Sequence, residues 1–80
     1  MIVSVIVPDN VVVVDGVGFV CTLPERSDNM RTLSWDGEYG RIEVPGKDPI
    51  WFANEALVTP YIDVWSAAKQ AYEALITQGG

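Results

Sequence analysis

Residues 11–20 read VVVVDGVGFV, and they constrain the fold more than any other stretch. Four consecutive β-branched residues favour extended backbone, because two heavy atoms on Cβ crowd a helical turn. Asp15-Gly16 then separates two apolar runs. A type I′ turn needs positive φ at both central positions, and Asp-Gly accepts this at low cost. The pattern predicts a hairpin with strands at 11–14 and 17–22. The preceding run IVSVIV (2–7) has the same character and predicts another strand, with PDN (8–10) as the turn between them.

SWDGEYGRIEV (34–44) predicts a second hairpin. Leu33 and Trp35 alternate with Thr32 and Ser34, and Ile42 and Val44 alternate with Arg41 and Glu43. Asp36-Gly37 turns the chain. Gly37 and Gly40 are expected to hold backbone angles that other residues resist. PGKDP (45–49) breaks the pattern. IWFANEALV (50–58) has no period but is too apolar for an open linker. It is expected to be an irregular segment across the sheet, with Trp51 or a neighbour plugging the gap between sheet and helix.

The helix itself is expected over about 60–77. Thr59 is a good N-cap, Pro60 suits the first helical position, and Gly79 suits the stop. Tyr61, Trp65, Ala68, Tyr72 and Leu75 form one stripe, expected to be buried on the sheet. Val64, Ala67, Ala71 and Ala74 form a line of small residues that another backbone can approach. The expected fold is α+β in one domain over 1–80: an antiparallel β-meander of four to five strands with one C-terminal α-helix packed on the sheet.

The chemistry available is narrow. There is no histidine, and Cys21 is the single cysteine of the 80 residues. This excludes His-based triads and Cys/His metal sites. Cys21 lies in an apolar run and reads as a small buried hydrophobe. DGVGFV lacks the third glycine of a dinucleotide loop, and no helix follows it. DGEYGRIE does not offer oxygen ligands at every second position, as a calcium loop requires. No catalytic, cofactor-binding or metal-binding residue is expected, no cofactor is implied, and the chain is not expected to be an enzyme.

A net charge of −6 argues against nucleic acid and anionic membranes as partners. IVSVIV is too short to span a bilayer and has no basic segment before it, so the expected location is the cytoplasm or a particle assembled there. What remains is contact with protein. The candidate partner-binding residues are Tyr39 at the hairpin tip, Trp51 and Phe52 in the apolar segment, and Val64, Ala67 and Ala71 on the helix. The valine-rich strands are apolar at consecutive positions, so both sheet faces are apolar, and one helix covers only one of them. A second copy or another protein is therefore expected on the other, unless the sheet closes into a small barrel.

The order of three stretches carries a resemblance. PDNVVVVDGVGF leads to WDGEYGRIE, and NE follows at Asn54-Glu55. This resembles a group of small proteins encoded beside the tail genes of tailed bacteriophages, which share a V-D-G opening and a W-D-G-x-x-G-x-(I/V)-E hairpin. The matching stretches are Val7–Phe19, Trp35–Glu43 and Asn54–Glu55. The resemblance implies a tail-region structural or assembly protein, in the virion or in the host cytoplasm during assembly, and brings no catalytic residues. The alternative is a small acidic phage inhibitor of a host protein. Acids and bases are interspersed in PERSDNMR and DGEYGRIE, which argues against a nucleic-acid mimic.

Overall fold

The computed structural model describes residues 1–24 and 29–78. Six strands run in chain order: β1 (Val3–Ile6), β2 (Val11–Val14), β3 (Val17–Val20), β4 (Thr32–Trp35), β5 (Gly40–Glu43) and β6 (Ile50–Phe52). One-turn 3-10 helices lie at Val7–Asp9 and Glu55–Leu57, and a single α-helix, α1, spans Thr59–Gln78. The fold is α+β: a six-strand antiparallel sheet followed by one C-terminal helix contacting the sheet.

The strand order is β3-β2-β1-β4-β5-β6. Two three-strand meanders are thus joined through β1 and β4, and the sheet is open, with β3 and β6 at its edges. Six strands form where the sequence suggests four to five. The additional one is IWF, part of the segment expected to be irregular.

The first hairpin follows its turn chemistry. Asp15 and Gly16 have φ of 49° and 85°. The Asp15 N–H donates to the Ile2 carbonyl (2.8 Å), and its Oδ1 accepts from the Ile2 N–H (2.8 Å), which ties the turn to the chain start. At the second hairpin Gly37 has φ of 105°, as expected. Gly40 does not hold an unusual angle; it is small for another reason. It pairs with Phe52 across β5 and β6, and a Cβ there would fall inside the Phe52 ring.

Register divides the side chains between two faces. Val3, Val14 and Trp35 share a row on one face, and so do Val5, Val12, Leu33 and Ile42. These residues are all buried and form the core with Met30, Val44, Val58 and Tyr61. Phe52 joins them, stacked on Trp35 with centroids 5.6 Å apart.

The entry to α1 differs from the expected N-cap. Residues 55–57 already turn helically, so the Thr59 hydroxyl donates back to the Glu55 carbonyl (3.2 Å). Asn54 caps the preceding 3-10 turn instead, its Oδ1 accepting from the Ala56 N–H (3.0 Å). The expected stop at Gly79 lies outside the described residues.

α1 packs on β2 and β3. Tyr61 is buried in the core, and Trp65 and Ala68 are half-buried beside Phe19 and its neighbours. Tyr72 and Leu75 are 53% and 69% exposed, which corrects the expectation of a buried stripe along the whole helix. The reason is length. Twenty residues of helix span about 30 Å, and β3 is the last strand beneath it.

Candidate docking face

The second face of the sheet carries Ser4, Ile6, Val11, Val13, Gly18, Val20, Thr32, Ser34, Arg41, Glu43 and Trp51, by the same register. Among the described residues no element lies across it. Ile2 is 60% exposed, Val20 74% and Trp51 69%. α1 lies on the opposite face. The alternation of β-strand side chains makes this face mixed: apolar over β1–β3 at Ile6, Val11, Val13 and Val20, and polar over β4 and β5 at Thr32, Ser34, Arg41 and Glu43.

Within this face is a shallow groove of about 260 Å³ at the β1–β4–β5 junction. Its origin is a cross-strand row. Ser4 on β1 pairs with Ser34 on β4, then Arg41 on β5, then Trp51 on β6. Two small serines sit beside larger neighbours, so the surface sinks between Ile2 on one side and Tyr39 and Trp51 on the other. The floor offers hydroxyls and the walls offer apolar surface.

Its charged side chains are held in place. Arg41 bonds Glu43 Oε1 at 2.7 Å, and its guanidinium carbon lies 5.8 Å from the Trp51 ring centroid. That fixes the Trp51 ring by a cation–π contact while leaving its outer side open. Asp36 anchors the tip below Tyr39. Its Oδ1 accepts from the backbone N–H groups of Glu38 and Tyr39, each at 2.8 Å. The bond from Tyr39, then that from Glu38, holds the Asp36 carboxyl below the usual aspartate range.

The sequence candidates separate into two places. Tyr39 and Trp51 come together on this face. Phe52, next in the chain, points to the core and stacks on Trp35, so it is corrected from a contact residue to a packing residue. It is Phe52, not Trp51, that fills the interior. Val64 is half-buried on α1 and lines a separate depression with Ala67, Val20 and Cys21. Ala67 and Ala71 are exposed on the helix. These three belong to the other side of the sheet and do not share a site with Tyr39.

Sequence reasoning missed Ile2, Ser4, Ser34 and Arg41. The one local signal was that Ser4 interrupts an otherwise β-branched run. That it meets Ser34 depends on the β1–β4 register, which no short stretch encodes.

An aromatic pair beside a small polar floor can take a partner's apolar side chain and satisfy nearby backbone groups. Among the described residues no group of three or more Asp, Glu or Cys is placed to hold a metal ion. Cys21 is buried, its thiol donates to the Phe19 carbonyl (3.3 Å), and burial pushes its pKa up, away from thiolate chemistry. Comparison with protein-family models, with curated proteins and with solved structures gives no match.

Proposed function

We propose that the chain is a non-enzymatic phage virion or tail-assembly protein that works through protein–protein contacts on the uncovered sheet face. The observation that carries this reading is the exposure of Ile2, Tyr39 and Trp51 around one groove on the sheet face opposite α1. Isolated exposed hydrophobes are ordinary, but Ile2, Tyr39 and Trp51 gathered around one shaped groove mark an interface. The bacteriophage resemblance of the WDGEYGRIE hairpin supplies the context. That hairpin is also the part of the chain that carries Tyr39 and Arg41.

The competing reading is a small acidic inhibitor of a host protein, for which the net charge of −6 speaks. The docking face itself is not an acidic surface. Of its carboxylates, Glu43 is paired with Arg41 and Asp36 accepts from the backbone N–H groups of Glu38 and Tyr39.

Affinity capture from phage-infected cells tests the proposal. Tagged chain should retain virion tail proteins, and a Tyr39→Ala, Trp51→Ala double variant should lose them. Retention of one host protein without virion proteins would favour the inhibitor. Equal capture by the double variant would remove this face from the account.

A further inference from the structure

The geometry points to β3 as a self-association edge: it pairs antiparallel with β3 of a second copy and joins the two sheets into one. This rests on the reading that the chain works through protein–protein contacts, but it uses a different surface from the Tyr39–Trp51 groove.

The argument begins with backbone hydrogen bonds. In a two-residue hairpin the flanking pair, here Val14 and Val17, exchanges both bonds, and bonded pairs then alternate. Val12 and Phe19 are the next such pair. The Cys21 N–H donating to the Asn10 carbonyl at 2.7 Å continues the alternation. Gly18 and Val20 therefore turn both N–H and C=O away from β2, toward an edge where no described strand pairs with them. Natural edges are usually protected by charge, proline or a bulge. VGFV has none of these, and Val20 is the most exposed of its large apolar residues.

What fits the edge is indicated by two further features. The chain carries a net charge of −6, yet no charged residue lies in β3. A copy of the same strand can approach without bringing like charge to the centre of the contact. One two-fold operation then satisfies Gly18 and Val20 on both chains, since an antiparallel edge is self-complementary.

The second feature is α1. Trp65 Nε1 donates to the Val17 carbonyl at 2.8 Å, and the Tyr72 ring lies 5.6 Å from that of Phe19. The helix thus crosses β3, and its last turns run past this edge with Leu75 and Ile76 69% and 57% exposed. A four-residue strand edge alone falls short of the roughly 800 Å² per partner that a stable interface buries. The overhanging helix end brings the additional apolar surface to the same side.

Sedimentation equilibrium of the full chain at micromolar concentration, with amide hydrogen exchange on the same samples, tests the proposal. The expected mass is twice 8.8 kDa. The Gly18 and Val20 amides should slow by about tenfold or more as concentration rises through the dissociation constant. Val20→Pro removes only the outward N–H and should give a folded monomer, whereas Trp51→Ala should still dimerise. A monomer throughout overturns the inference. So does a dimer whose Gly18 and Val20 amides exchange at the monomer rate. If Trp51→Ala rather than Val20→Pro breaks the dimer, self-association runs through the groove face instead. That result would leave the protein-contact reading standing without this edge. The exchange data need no variant, so a Val20→Pro chain that fails to fold does not block the test.

Discussion

The same strands build both faces of the sheet, and the two faces differ in what covers them. Val12 on β2 is fully buried, while Val20 on the adjacent strand is 74% exposed. Trp35 is 4% exposed and stacked on Phe52, while Trp51, one residue before Phe52, is 69% exposed over Arg41. Residue type does not separate these pairs; strand parity does. One step along a strand moves a side chain from the core to the docking face. Hydrophobicity alone therefore describes a chain with more apolar surface than its own fold buries; part of the surplus lies on the sheet face opposite α1 and part on the helix at Tyr72, Leu75 and Ile76.

That contrast can be broken most severely from the core side. Leu33→Ala should cost about 2–5 kcal/mol, because Leu33 is fully buried and its loss leaves a cavity. A domain of this size holds on the order of 4–12 kcal/mol in total. Urea unfolding followed by far-UV circular dichroism would read the loss as a lower midpoint. Trp65→Ala should follow at about 2–4 kcal/mol, since the indole is half-buried and loses its bond to the Val17 carbonyl. An unchanged melt would mean that α1 does not clamp β3.

Gly40→Ala probes the line between the faces. The new methyl would meet the Phe52 ring, so a destabilisation of about 1–3 kcal/mol is expected from overpacking. Adding Phe52→Leu should restore part of it, by opening the space the methyl needs.

Asp36 gives a smaller, pH-dependent effect. Its folded pKa is lowered, so its contribution is present above the ordinary aspartate value and lost as pH falls through the folded value. Thermal melts of the native chain and Asp36→Ala should therefore converge in acid and diverge toward neutrality. The smallest effect on stability belongs to Trp51→Ala, within about 0.5 kcal/mol. It sharpens the comparison, because a tryptophan on the core face could not be removed so lightly.

Much of this was legible where information is local. Asp15-Gly16 fixes its turn through φ, and Leu33, Trp35, Ile42 and Val44 alternate visibly. The helix was legible from its spacing, though not its entry through the 3-10 turn at Glu55–Leu57 or how much of it is buried. Periodicity marks Tyr72 and Leu75 as members of the stripe, but the sheet ends at β3, so Tyr72 meets Phe19 while staying half exposed and Leu75 is left uncovered. β6 was hidden because three large residues after Pro49 show no alternation. The inward turn of Phe52 depends on the space at Gly40, on the neighbouring strand. Likewise the groove depends on Ser4 meeting Ser34, thirty positions apart, through β1–β4 pairing.

The most direct test of the account is hydroxyl-radical footprinting of the chain alone and in complex with the tail proteins that the proposed function expects it to bind. Free chain should oxidise readily at Tyr39 and Trp51, with Trp35 protected. In the assembly all three should be protected, since the docking face is then covered. Equal oxidation of Tyr39 and Trp51 in both states would contradict the claim that this face is where the protein works.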